Sequence, residues 1–317
     1  MSKKIRTIFI GTPDFGIPSL NALIKSDSFE VVAVITQPDK KIGRRQTVTP
    51  PPIKVEAEKH GLLVLQPEKI NKFITEIQKL KPELAIVVAY AQIISKELLD
   101  LPKYGFVNIH GSLLPKYRGA ACIQAAIANG DPETGITIMK MDKGLDTGPI
   151  LEKFSTPITD CDTGGTMFMK LSQLGGEILV STLEKYISGE IKPVTQDNKQ
   201  ASYVGMLKKQ DGLIDWKKDA EKIERHIRAM NPWPGAYTQL PVTNSQSLII
   251  KIIQTEHVPP RINKHKPGKI FIEKNNLMIQ CGQDALIINK LQLAGKNIIT
   301  SEEFLRGYKN LIGAILQ

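Results

Sequence analysis

Only three cysteines occur in the 317 residues, Cys122, Cys161 and Cys281. Their wide spacing excludes both a disulfide framework and a Cys-x-x-Cys metal site. Histidine is almost as scarce. The five, His60, His110, His226, His257 and His265, share no ligand spacing on one element, and the last two fall in a polar loop. No metal is therefore expected. Long apolar runs are missing too: "LAIVVAYAQII" at 84–94 falls well short of a membrane span, so no membrane partner is expected. The opening "MSKKIRTIFIG" is basic, but its apolar run is too short for a signal-peptide core, and a cytoplasmic location is expected. There is no internal repeat or low-complexity segment. The dinucleotide fingerprint is also lacking. "GTPDFG" at 11–16 follows an apolar run, but Pro13 stands where G-x-G-x-x-G needs its second glycine, and proline has no amide hydrogen for a pyrophosphate.

What is present suffices for two domains. The hydrophobic fraction of 41% fills a real core, and the formal net charge is +10. The charge is uneven: residues 206–317 hold 17 Lys and Arg against 10 Asp and Glu, a net +7, and the rest of the chain is only +3. Such a concentration points to a polyanionic partner or to a merely basic surface.

Short apolar runs at 5–11, 31–37, 62–66, 84–90 and 105–110 alternate with helical patterns at 16–25, 52–60 and 68–81. Alternation of this kind predicts an α/β fold with a doubly wound, mostly parallel, Rossmann-like sheet. Strand-like segments at 134–142 and 148–158 precede a longer helix over 163–188. Residues 190–209 are polar and aperiodic and read as a linker between a domain at 1–189 and another at 210–317. In the latter, a helix near 218–230 is followed by "SLIIKII", "GKIFIEKNNLMIQCG" and "DALIINKLQLAG", a pattern that predicts a smaller C-terminal β-barrel of the oligonucleotide-binding (OB-like) type.

Three segments carry candidate chemistry. In "FVNIHGSLLPKYRG" (106–119), Asn108 and His110 lie two apart on a strand and so share a face, at the end where open α/β sheets place their ligands. An amide donor beside a group that can give or take a proton near neutral pH suits oxyanion stabilisation and proton movement. The alternative is a structural histidine at a strand end. The Gly-rich loop in "MDKGLDTGPIL" (141–151) carries Asp146, a candidate partner for setting the tautomer and charge of His110. Ser112 fits no nucleophile elbow, so this set suggests that the substrate attacks directly. The long loop "DKKIGRRQTVTPPP" (39–52) carries Lys40, Lys41, Arg44 and Arg45, which suit phosphate contact; the alternative is a solvated charged loop.

"NIHGSLLPKYRGAACIQAAIANGD" followed by "ETGITIMKMDKGLDTG" resembles the signature of the 10-formyltetrahydrofolate-dependent formyltransferases. The resemblance extends to "GTPDFG", "TQPDKKIGRR" and "NPWPGAY" and covers nearly the whole chain. It implies transfer of a formyl group from 10-formyltetrahydrofolate, by direct amine attack through a tetrahedral intermediate. The combined blocks are most similar to the branch whose acceptor is charged initiator tRNA, and a monomer is expected. Carried over by position, the family's catalytic asparagine, histidine and aspartate fall on Asn108, His110 and Asp146, and its folate-binding segment on Ser112, Leu113, Leu114 and Pro115. The loop arginine that acts on the tRNA acceptor end falls on Arg44, beside Arg45, and a linker lysine near the tRNA 3′ end falls on Lys209. Lys116 replaces a frequent arginine and Cys122 a common proline, departures that remove no catalytic group. Two rivals remain: a formyltransferase for a nucleotide-linked amino sugar, and a non-catalytic RNA-binding protein.

Overall fold

The structure is a computed structural model and describes residues 3–43, 45–242, 246–257 and 264–317. Its contacts divide the chain into two compact units. The first comprises residues 1–122, 133–157 and 168–204, and the second 123–132, 158–167 and 205–317.

Strand β1 (Ile5–Gly11) carries the wholly buried Ile8, Phe9 and Ile10. Helix α1 (Ile17–Lys25), with Pro18 in its first turn, returns the chain to β2 (Phe29–Ile35). Next come an exposed hairpin of β3 (Lys40–Ile42) and β4 (Thr47–Thr49), helix α2 (Pro52–Lys59) and β5 (Val64–Leu65). The expected helix over 68–81 is broken. A 3-10 turn at Ile70–Lys72 precedes α3 (Ile74–Lys79), with Phe73 non-helical between them. Tertiary hydrogen bonds override the local pattern here. The Gln92 side chain accepts from the Ile70 amide, and the Asn71 amide bridges Ile93 and Ser95.

The continuous apolar run of β6 (Leu84–Val88) is buried throughout, as a strand covered on both faces must be. Helix α4 (Lys96–Leu99), capped by Ser95, leads to β7 (Phe106–His110), the two-residue β8 (Arg118–Gly119) and α5 (Cys122–Asn129). Then follow β9 (Glu133–Lys140), β10 (Ile150–Pro157), α6 (Gly164–Ser188) and β11 (Tyr203–Val204). The principal sheet has the order β10-β9-β7-β6-β1-β2-β5. Strands β1, β2, β5, β6 and β7 are mutually parallel, and β9 runs antiparallel to both β7 and β10. The order reverses between β1 and β6, which makes their C-terminal ends the topological switch point. One face holds Ile8, Ile10, Ala33, Ile35, Val87 and Phe106 in a single apolar cluster with Ile77 of α3 and Leu98 of α4. On the other, a Cβ at Gly175 of α6 would stand 3.2 Å from Ile109.

In the second unit, α7 (Ala220–Ala229) precedes β12 (Tyr237–Val242), β13 (Gln246–Glu256), β14 (Ile270–Glu273), β15 (Asn276–Gln280), β16 (Ala285–Leu293), β17 (Ile298–Thr300) and α8 (Ser301–Gly307). The sheet is antiparallel, ordered β12-β13-β16-β15-β14, with β17 also on β16. The last residues join its two edges. Ile270 of β14 exchanges hydrogen bonds with Ala314 and Gly313, and Gln239 of β12 does so with Gln317. The chain's last residues thereby cover the outer edges of β14 and β12, giving a small β-barrel unit.

Candidate active site

Strand alternation puts Phe106, Asn108 and His110 on one face of β7 and Val107 and Ile109 on the other. Phe106 belongs to the apolar cluster and Ile109 faces α6, so the direction of Asn108 and His110 is set by hydrophobic packing around them. Both polar side chains are buried, at 9% and 6% exposure.

Asp146 reaches this pair from the loop between β9 and β10. Its Oδ2 lies 3.7 Å from Nδ1 of His110, and its Oδ1 is 3.4 Å from Nδ2 of Asn108, a long hydrogen bond. The backbone amide of Gly119 donates to Asp146 Oδ2 at 2.8 Å. Asp146 itself sits at φ +53°, a left-handed conformation that aspartate tolerates better than most residues. Within the loop, Asp142 Oδ1 accepts from the Gly144 amide and from the Thr147 hydroxyl.

The other ring nitrogen of His110, Nε2, lies 2.9 Å from the carbonyl oxygen of Tyr117. A carbonyl only accepts, so Nε2 carries a hydrogen, and Nδ1 is the atom where the ring gains or loses its proton. That atom faces Asp146. The Tyr117 carbonyl was not legible in the sequence, because backbone acceptors leave no composition signal.

The segment after β7 is a tied turn. Ser112 is wholly buried and its hydroxyl donates to the Lys116 carbonyl at 2.7 Å. Thr137 donates to the Ser112 carbonyl at 2.6 Å and accepts from the Leu114 amide at 3.0 Å. Leu114 points inward with no exposed surface, whereas Leu113 and Pro115 are partly exposed. Of the four residues expected to contact a folate, Ser112 and Leu114 therefore shape the turn, and Leu113 and Pro115 offer side-chain surface.

Sequence reasoning also missed what holds the other side. The aperiodic segment at 190–209 is structured along much of its length. Its β11 pairs in parallel with β8, and Val194 exchanges hydrogen bonds with Ile150. Arg118, 1% exposed, donates to the side-chain oxygens of Gln196, Asn198 and Tyr203.

A cavity of about 750 Å³ opens at the switch point, lined among others by Thr12, Gln37, Lys40, Lys72, Tyr90 and Ile93. Burial pushes the Tyr90 phenol up to about 12, so it stays protonated at neutral pH. Near this edge Asp39 is held below its usual range, first by a hydrogen bond from Gln66 and then by Lys54. Arg45 is exposed in the turn of the β3–β4 hairpin. Arg44 lies outside the described residues. Lys209 is exposed at the start of a 3-10 turn in the second unit. Among the described residues no group of three His, Cys, Asp or Glu is placed to hold a metal ion, and no helix is long and apolar enough to cross a membrane.

Comparison with known proteins matches residues 3–183 to the formyl transferase family and residues 206–309 to the formyl transferase C-terminal domain. The chain is 45% identical to the methionyl-tRNA formyltransferase of Citrifermentans bemidjiense over 315 residues, covering 98% of this chain and 96% of that protein. It is 43% identical to that of Bacillus velezensis, with 98% and 97% covered. Among solved structures, the sugar 3N-formyl transferase WlaRD is similar with a TM-score of 0.63 at 23% identity, covering 93% of this chain and all of that one. An N-formyltransferase from Helicobacter canadensis also reaches 0.63, at 22% identity, with 90% and 99% covered. At these identities the structural likeness speaks for the fold.

Proposed function

The chain belongs to the formyl transferase family, and from that premise we propose that it moves the formyl group of 10-formyltetrahydrofolate to the α-amino group of initiator methionyl-tRNA. The single observation that carries the reading is the meeting of Asn108, His110 and Asp146 at the C-terminal end of an inner strand.

In this reaction the amine nitrogen attacks the formyl carbon, a tetrahedral intermediate forms, and the bond from that carbon to N10 of the folate breaks. The amine must be neutral to attack, and with a free pKa of about 7.7–8.0 a useful minority is neutral at pH 7. Asn108 Nδ2, whose hydrogen bond to Asp146 is long at 3.4 Å, is the donor for the developing oxyanion. A positioned donor of this type contributes about 10²–10³ in rate. His110 relays the proton from the attacking amine toward the leaving N10. Because its Nε2 hydrogen is engaged by Tyr117, the relay runs through Nδ1, which faces the Asp146 carboxylate at 3.7 Å.

The donor folate is a co-substrate. Leu113 and Pro115 offer it apolar surface beside the triad, on a turn kept rigid by Ser112, Leu114 and Thr137. Phosphate contacts fall to Arg44 and Arg45 in the first unit and to Lys209 and the basic C-terminal part, whose net +7 gives a salt-dependent affinity. On the domains read from the sequence, 1–189, a linker at 190–209 and 210–317, catalysis falls to the first and tRNA binding to the last, with residues 190–204 packed into the first unit. The protein acts as a monomer in the cytoplasm.

The test offers 10-formyltetrahydrofolate as donor and compares charged initiator tRNA with a nucleotide-linked amino sugar as acceptors. Transfer to the tRNA at least 100-fold more efficient than to the sugar is the expected result. Preference for the sugar would assign the chain to the other branch of the family, and no turnover with either would leave an RNA-binding protein.

A further inference from the structure

Two hydrogen-bonded grips hold Asp146, and both rest on the strap formed by residues 194–204. The first is at the backbone. Gln196, 6% exposed, donates through Nε2 to the carbonyl oxygens of Asp146 at 2.8 Å and Gly148 at 2.7 Å. Both hydrogens of the amide are thereby placed on the loop. Its Oε1 in turn accepts from Arg118 Nε and Nη2 at 3.2 and 2.8 Å. Guanidinium cannot accept a hydrogen bond, so it forces the oxygen of Gln196 toward itself and the nitrogen toward the catalytic loop. Arg118 is fixed by further bonds to Asn198 and to the hydroxyl of Tyr203, both on the strap.

The second grip is at the carboxylate. Gly119, whose amide donates to Asp146 Oδ2, pairs with Val204 in the β8–β11 ladder. A Cβ at Gly119 would collide with the Val204 carbonyl, and its φ of +105° is open only to glycine. The approach is therefore glycine-dependent and close. Asp146 occupies a left-handed conformation that persists only where its surroundings over-determine it.

We infer that Gln196, oriented by Arg118, is a positioning residue for the reaction: through the Asp146 and Gly148 carbonyls it sets where the Asp146 carboxylate meets His110 Nδ1. The role rests on the formyl-transfer reading for its kinetic consequence, and on geometry alone for its structural one. Residues 190–204 belong to the first unit, and through Gln196 and the β8–β11 ladder most of the segment read as a linker forms part of the active-site wall.

Gln196→Glu separates the two halves of the contact. The carboxylate keeps the volume and keeps Arg118 as its partner, but has no hydrogens to give the two carbonyls. The single-turnover rate of formyl transfer should fall about 10–100-fold, by analogy with the loss of a hydrogen-bonding partner behind a metal ligand, with KM for folate and for charged tRNA within about 2-fold of the parent. Exchange of the Gly119 amide, followed by NMR in the intact protein well below its melting temperature, should speed up at least 10-fold as the carboxylate it serves loosens. Gln196→Met, an apolar side chain of similar length, should repeat both effects. Unchanged rate and unchanged exchange in both variants would overturn the inference, as would a rise in KM with the rate preserved. If the parent protein itself transferred no formyl group, the reaction reading would fall, and faster Gly119 exchange would still establish the positioning of Asp146.

Discussion

The imidazole of His110 donates through Nε2 to the carbonyl oxygen of Tyr117, seven residues on, over 2.9 Å. This bond assigns the tautomer of the ring from its geometry, and it directs proton traffic through Nδ1 and Asp146. The proposed roles of the site follow from that assignment and make distinct kinetic predictions.

Asn108→Ala removes the oxyanion donor and should lower the single-turnover rate about 10²–10³-fold. His110→Ala should cost about 10²–10⁴. The double variant should fall short of the product, because the two groups act on one transition state. Retention of full rate in both single variants, measured by quench-flow with preformed complex, would sink the mechanism.

Arg44→Ala should weaken transfer to charged tRNA and leave folate binding unchanged. Each lost phosphate contact should also reduce the slope of log affinity against log salt by about 0.7–0.9. The comparison needs tRNA affinity at several salt concentrations beside a folate titration. Equal losses in both would contradict the proposed division of labour. Arg45→Ala is expected to act in the same direction.

Thr238 links the barrel core to the chain end. Its hydroxyl accepts from the buried Trp216 indole at 2.9 Å and donates to the Gln317 carbonyl at 2.9 Å. Thr238→Val leaves the indole N–H unsatisfied and should destabilise the protein by about 1–3 kcal/mol, read from chemical denaturation.

His226 in α7 is half-buried, and desolvation lowers its pKa below the usual 6.5, against a backbone hydrogen bond to Gly212 that raises it. A base with a depressed folded-state pKa is protonated more readily in the unfolded chain. Its contribution to stability is therefore full above about pH 6.5 and shrinks as pH falls toward the depressed value. Denaturation at several pH values should show that His226→Gln flattens this acid-side loss. An unchanged acid limb would show that other groups control it.

The pairing of Asn108 with His110 was legible because a strand has a local period of two, and no tertiary information is needed to know that they share a face. The same holds for the parallel core. Runs such as "LAIVV" at 84–88 have to be covered on both sides, whatever covers them. Charge asymmetry, the absence of a Cys or His ligand pattern and the failed dinucleotide fingerprint at Pro13 are likewise properties of composition and spacing alone.

Folding decided the rest, because it rests on contacts between distant residues that follow no period. The break between Ile70–Lys72 and α3 arises from Gln92 and Asn71 side chains bonding across more than twenty residues. The β3–β4 hairpin emerged within a loop whose composition signalled only turns and charge. Asp146 could be suspected from sequence, but its distance to His110, the tautomer set by Tyr117 and the inward turn of Leu114 exist only once the chain is packed. Arg118 and Gln196, 78 residues apart, show the limit most plainly. In sequence they are an ordinary arginine and a glutamine in a polar stretch, and burial together makes one the orienter of the other.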